Sequence, residues 1–220
     1  MRFKEIAKYL LNRFGQEKIY LVGHSWGSVL GLTFIQKYPE LVHTYVGCGQ
    51  VVNMKKSSQL AYEYALSKAD KRARKKLEQI DCNYTKENWV KDLLFVTRQV
   101  VKYKGSLYGK SNYNKLVTPF LCSRYYTPMD LVKRQKGSMQ SILFLWQELM
   151  HTNFENNIQY EVPVIFVEGR HDMHVSSKLV KEYYDNICSP KELIWFENSC
   201  HFPQWSESAK FNKIMISLVK

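Results

Sequence analysis

The sequence contains no apolar run approaching the roughly 20 residues that a membrane-spanning helix needs, so it offers no candidate span. Its opening, Met1-Arg2-Phe3-Lys4-Glu5, lacks the apolar stretch of a secretory signal. No C-x-x-C pair occurs among the five cysteines, Cys48, Cys82, Cys122, Cys188 and Cys200. An odd count without that spacing excludes a zinc ribbon and argues against a disulfide framework, so the expected setting is a reducing one, the cytoplasm. The histidines show no ligand spacing, and no metal site is expected. Internal repeats and low-complexity tracts are also missing.

Acidic residues are the scarcer charge: 20 Asp and Glu stand against 32 Lys and Arg, for a net charge of +12. That balance raises a nucleic-acid partner, and the densest basic run is Lys71, Arg72, Arg74, Lys75 and Lys76. Through the same segment, however, Tyr64, Ala65, Ala69, Ala73, Leu77 and Ile80 fall at helical spacing. The charges therefore read as the solvated face of one amphipathic helix. No zinc finger or RNA-binding aromatic signature accompanies them, which excludes nucleic acid as the expected partner. With 45% hydrophobic residues in 220, the chain is able to bury a sizeable core as one domain carrying an insertion.

What is present centres on Gly23-His24-Ser25-Trp26-Gly27. An apolar run, Ile19-Tyr20-Leu21-Val22, precedes it and a helical pattern from Ser28 to about Lys37 follows. G-x-S-x-G between a strand and a helix is the pattern of a nucleophile elbow. The turn lifts a serine hydroxyl into reach of a base, and large neighbours two residues away on either side are expected to clash with it. Before the elbow, Phe3, Ile6, Ala7, Leu10, Leu11 and Phe14 predict a helix stopped by Gly15. After it, Tyr38-Pro39 ends the second helix and Val42 to Val46 reads as a strand. This alternation predicts a parallel sheet.

From about Val52 to Tyr160 the pattern turns helix-rich, aromatic and basic, with loop signals at Lys104-Gly105-Ser106, Gly109 to Asn112, and Gly137-Ser138. Most of Trp89, Phe95, Phe144 and Trp146 are expected to form the insertion's own core. The sheet resumes at Val162 to Val167, a helix spans about Ser176 to Asp185, Leu193 to Phe196 is the last strand, and a helix from Ser208 to Val219 closes the chain.

A serine hydroxyl needs a histidine to take its proton, and that histidine needs an oriented tautomer. Chemistry in open parallel sheets gathers beyond the carboxyl ends of the strands. Ser25, Asp172 and His201 each follow such an end, in the order Ser…Asp…His expected of α/β-hydrolases. Glu168 lies closer to its strand and is expected to brace the turn. His24, His43 and His151 read as structural, and His171 and His174 flank the acid. Cys200, beside the base, reads as packing.

The chain resembles the α/β-hydrolase superfamily, and more narrowly its proline iminopeptidase-like branch. The resemblance rests on Gly23 to Gly27, Tyr38-Pro39-Glu40-Leu41-Val42, Gly49-Gln50-Val51-Val52, Leu145-Trp146-Gln147-Glu148, Val162-Pro163-Val164, Gly169-Arg170-His171-Asp172 and Glu197-Asn198-Ser199-Cys200-His201. It implies an α/β fold, a mostly parallel sheet flanked by helices, with a helical cap (52–160) between two core portions (1–51 and 161–220). It also implies a serine peptidase that removes an N-terminal residue without a cofactor. Ser25 would be the nucleophile, His201 the base, Asp172 its orienter and Trp26 an oxyanion donor. Glu148 is the candidate for holding a substrate's free amine. The substrate would be a short peptide or other small molecule, with an esterase, or a non-catalytic remnant or interaction module, as the alternatives. Neither nucleic acid nor membrane would be a partner. Ser28 departs from the family, which often has glycine there. An HGGPG-like loop and the strands before it are also not found, so the resemblance implies a missing amino-terminal part of the sheet. The strand Ile19–Val22 is then expected to be a sheet edge that self-associates, aggregates or pairs with an amino-terminal fragment.

Overall fold

The computed structural model describes residues 2–219. Helix α1 (Arg2–Phe14) turns Ala7 and Leu11 inward and stops at Gly15, whose φ of +60° is the left-handed geometry of a helix stop. Strand β1 (Ile19–His24) leads into helix α2 (Trp26–Lys37), which ends before the X-Pro step at Pro39. A single 3-10 turn, Pro39–Leu41, opens strand β2 (Val42–Cys48). Five helices then intervene: α3 (Met54–Lys68), α4 (Lys71–Leu77), α5 (Trp89–Lys102), α6 (Asn114–Leu121) and α7 (Pro128–Met150). Strand β3 (Val164–Gly169), helix α8 (Ser177–Asn186), strand β4 (Lys191–Phe196), and helices α9 (Pro203–Ser206) and α10 (Ser208–Leu218) complete the order.

The four strands are parallel and lie in the order β1-β2-β3-β4. Their register sets His24 beside Cys48, Cys48 beside Val167, and Gly169 beside Phe196. All four carboxyl ends therefore open on one rim. Strands β2 and β3 are buried almost throughout, as parallel strands covered on both faces must be. On one face α1, α2 and α8 bring Ala7, Leu32, Phe34, Ile35, Val180 and Tyr183 against Leu21, Tyr45, Val164 and Phe166. On the other, Phe211, Ile214, Met215 and Leu218 of α10 cover Val46, Ile165, Val167 and Phe196. Strand β1 is an edge, and its Tyr20 and Val22 are exposed by 37% and 48%. A further core within the five-helix insertion gathers Ala65, Leu77, Val96, Val100 and Trp146, and reaches Val51 and Val175 at the rim.

Several sequence expectations shift. Strands β1 and β2 run two residues past their apolar stretches, because Gly23 and Gly47 continue the ladder. Strand β3 starts at Val164, after Pro163, which has no N–H to give. The basic segment is two helices and not one: Asp70 caps α4 by accepting the Ala73 N–H at 2.8 Å, which breaks the chain at Ala69-Asp70. Its apolar stripe is nonetheless inward, with Ala65, Ala73 and Leu77 buried. Gly137-Ser138 is not a loop but lies inside the 23-residue α7, which opens on a Thr127–Asp130 capping box. Phe144, expected in the insertion core, is exposed by 77%.

Candidate active site

Ser25 joins β1 to α2 with φ 54° and ψ −124°, a conformation that residues other than glycine seldom adopt. Hydrogen bonds over-determine it. Ser25 N donates to Cys48 O at 3.0 Å, and both Ser28 N and the Ser28 hydroxyl donate to Ser25 O, at 2.8 and 2.5 Å. A Cβ on Gly23 would stand 2.8 Å from Gly27 O, so the turn closes only over glycine. Gly27 departs from the expected clash, since a Cβ there meets nothing within 4 Å.

Across the rim, His201 Nε2 is 2.8 Å from Ser25 Oγ and its Nδ1 is 2.8 Å from Asp172 Oδ2. Asp172 follows β3 and His201 follows β4, and both are buried. The other Asp172 oxygen accepts the N–H groups of His174 at 2.8 Å and Val175 at 3.0 Å. With Oδ2 as acceptor, Nδ1 carries the imidazole proton and Nε2 is free to accept from serine. The ring is walled by His174, His24 and Phe202, with centroids 4.6, 4.9 and 5.1 Å away. Its backbone is held as well: His201 N donates to Ser106 O at 3.1 Å, and His24 Nε2 donates to His201 O at 2.8 Å.

Burial sets the electrostatics. It drives His201 down to about 3 and Asp172 up to about 7, the latter against the pull of His174 and the two backbone N–H groups. The pair thus takes up its first proton near neutrality and a second only in strong acid. Burial, then the neighbouring His201, lowers His24 to about 4 and His174 to about 3, so both rings are neutral at ordinary pH.

Trp26 is the first residue of α2, where no preceding turn offers its N–H an acceptor. Trp26 lines two cavities. One, of about 220 Å³, is also lined by Ser25, Val51, Met54, Leu93, Leu94, Thr97, Ile142, Trp146, Leu149, His174 and Val175. The second, of about 400 Å³, holds the exposed Glu148, with Gly27, Ser141 and Leu145. Glu148 is absent from the lining of the first, so the structure places it beside Ser25's chamber and not within it. Glu168 is fully buried and accepts the Gln50 N–H at 2.8 Å, with no bond to His201. Cys200 is buried, and its thiol is pushed up to about 12 by that burial, which leaves it unreactive. His43, His151 and His171 are exposed, and their rings meet Thr44, Gln147 O and Tyr108 and not the triad. Among the described residues, no group of three or more His, Cys, Asp or Glu side chains is placed to hold a metal ion.

Several supporting residues escaped the sequence reading. The Ser28 hydroxyl ties the elbow to the loop after β2 by accepting Val51 N–H at 3.0 Å. Gln50, wholly buried, accepts from Tyr45 at 2.7 Å and donates to Val51 O at 2.8 Å. Ser28 stood out in the sequence as a departure from the family that the chain resembles. Gln50 and Trp146 stood in stretches that carry the resemblance and Ser106 in a loop signal, but their contacts were hidden because they are made with other elements.

A model of the family described as alpha/beta hydrolase fold matches residues 1–208. Probable aminopeptidase YbaC of Bacillus subtilis (strain 168) is 29% identical over 212 residues, covering 94% of this chain and 67% of that protein. Among solved structures, VinJ superposes with a TM-score of 0.60 at 18% identity, covering 98% of this chain and 70% of that one. The proline iminopeptidase of Mycobacterium smegmatis gives 0.58 at 16% identity, covering 95% and 67%.

Proposed function

We propose that this chain, which belongs to the alpha/beta hydrolase fold family, is a serine hydrolase acting through an acyl-enzyme. The observation that carries the reading is the continuous chain Ser25 Oγ, His201, Asp172, with both links at 2.8 Å. Neutral His201 takes the Ser25 proton as Oγ attacks a substrate carbonyl, and the new oxyanion faces the Trp26 N–H. Asp172 stabilises the imidazolium, which then passes its proton to the leaving group. Water repeats the steps on the acyl-enzyme, returning the proton to Ser25 and releasing the acid.

The favoured substrate class is a short peptide losing its N-terminal residue, supported by the likeness to probable aminopeptidase YbaC. The Glu148 carboxylate, on the cavity next to Trp26, suits a free amine there. A second reading, an esterase, draws on a different observation: among the described residues no carboxylate lines the chamber that holds Ser25, and its walls are mostly apolar. A chain that binds without catalysing is the outcome if Ser25 proves unreactive. The test is labelling with a fluorophosphonate, followed by aminoacyl nitroanilides and nitrophenyl esters side by side. Labelling at Ser25 alone is expected, lost in Ser25→Ala, with His201→Ala losing nearly as much turnover because such residues act as a unit. An adduct on another serine, or none, overturns the reading. Glu148→Gln separates the substrate classes, since it raises KM only for substrates with a free amine.

A further inference from the structure

Thr97, on α5, differs from the threonines of α2 and α6. Thr33 and Thr118 turn their hydroxyls back onto carbonyl oxygens one turn earlier, Val29 O at 2.8 Å and Asn114 O at 2.9 Å. The half-buried Thr97 makes no such bond, and its hydroxyl has no partner among the described residues, yet the packing around it does not seal it off. Both ring nitrogens of the half-buried His174 are in the same condition, unpaired and not sealed. Thr97 and His174 line the chamber that holds Ser25, and also a void of about 40 Å³ adjoining it. The void has room for one small polar group, and Tyr84, whose hydroxyl is likewise unpaired, also lines it. His174 is fixed from the catalytic side: its ring centroid lies 4.6 Å from that of His201, and its backbone N–H donates to Asp172 at 2.8 Å. Burial, then the neighbouring His201, keeps the His174 ring uncharged, so it offers one N–H donor and one bare nitrogen acceptor. Among the described residues no Lys, Arg, Asp or Glu lines either space, and most of the remaining wall is apolar. Such a chamber suits an occupant that is apolar along its length and carries one uncharged polar group.

We propose that Thr97 and His174 form a polar subsite beside Ser25 that takes a hydroxyl carried on the otherwise apolar group entering the chamber. A hydroxyl answers both residues together, accepting from one and donating to the other. An ether or keto oxygen answers donors only, and a charged amine or carboxylate finds no counter-ion there. This rests on the assignment of Ser25 as nucleophile, and the test has an arm that does not. In Ser25→Ala protein carrying 15N-labelled histidine, the ring nitrogens of His174 are assigned by their loss in His174→Gln. They are then titrated with propylamides of 6-hydroxyhexanoic and heptanoic acids, and of 4-hydroxyphenylacetic and 4-methylphenylacetic acids. Within each pair a methyl group stands in for the hydroxyl. The nitrogens are expected to shift with the hydroxylated member of at least one pair and not with its match. No turnover is needed, so a chain that fails as a hydrolase still reports here. In the second arm, kcat/KM for nitrophenyl esters of the same four acids is measured with the native chain and with Thr97→Val, which keeps the shape and removes the hydroxyl. The preference for the hydroxylated ester is expected to fall about three- to tenfold, the usual net worth of one neutral hydrogen bond. Thr97→Ser, which restores the hydroxyl, is expected to recover most of it. A purely packing role lowers both members of a pair alike, and that result overturns the proposal. So do His174 nitrogens that are unmoved by all four ligands or moved equally within each pair, as when a tightly held water keeps the subsite.

Discussion

A histidine deprived of water gives up its charge easily, and His201 shares its proton with a carboxylate that is equally dry. Because burial moves Asp172 up to about 7 and His201 down to about 3, one proton enters the pair near neutrality. That proton occupies the pair in the form that cannot take the serine's. The expected pH profile of kcat/KM is therefore flat above neutrality and falls about tenfold per unit below it. His24 and His174, lowered to about 4 and about 3, add no second inflection between pH 5 and 8. A profile still flat at pH 5.5 would refute the shared-proton account. These residues also divide what the sequence disclosed from what it hid. Ser25, Asp172 and His201 stand just past strand ends, a position readable from local pattern, and they meet in space. Gln50 N–H donates to the Glu168 carboxylate and Ser106 O accepts from the His201 N–H, links between distant segments that local pattern does not carry.

At the level of elements, the turn between β1 and α2 shows that two glycines of one motif do different things. A Cβ at Gly23 would press on the backbone of Gly27 and Ser28, which have no room to yield. Gly23→Ala is expected to cost about 1–3 kcal/mol by overpacking, seen as a lowered Tm. Gly27→Ala meets open space in the first turn of α2, so its Tm should hold within about 2 °C or rise, since alanine is the better helix former. Equal losses in the two melts would contradict this. The elements themselves were legible where one pattern dominated: short continuous apolar runs for the strands, and the 3.6-residue stripe for α1. The break between α3 and α4 was obscured because the apolar stripe continues across it while Asp70 caps the second helix. Gly137 misled for the opposite reason: it is a breaker by composition, tolerated inside a long helix fixed at its start by the capping box.

For the molecule as a whole, the uneven sheet matters most. Strand β4 ends the sheet on one side, while β1 leaves Tyr20 and Val22 in water on the other. An apolar edge with free backbone donors and acceptors recruits further strands, so concentration-dependent association is expected in sedimentation velocity. Val22→Lys should weaken it, and a monomer at every concentration would refute it. A different consequence follows from the bond between Ser25 and His201, whose partners are 176 residues apart in sequence. It encloses the five insertion helices and three of the four strands, and closing so long a loop comes late in folding. During synthesis, roughly 10 to 35 s pass between the appearance of the two residues at usual elongation rates. For that interval the hydroxyl has no base and is chemically silent. Reactivity of Ser25 would thus serve as a clock, reporting the moment at which His201 has been made and has folded onto it.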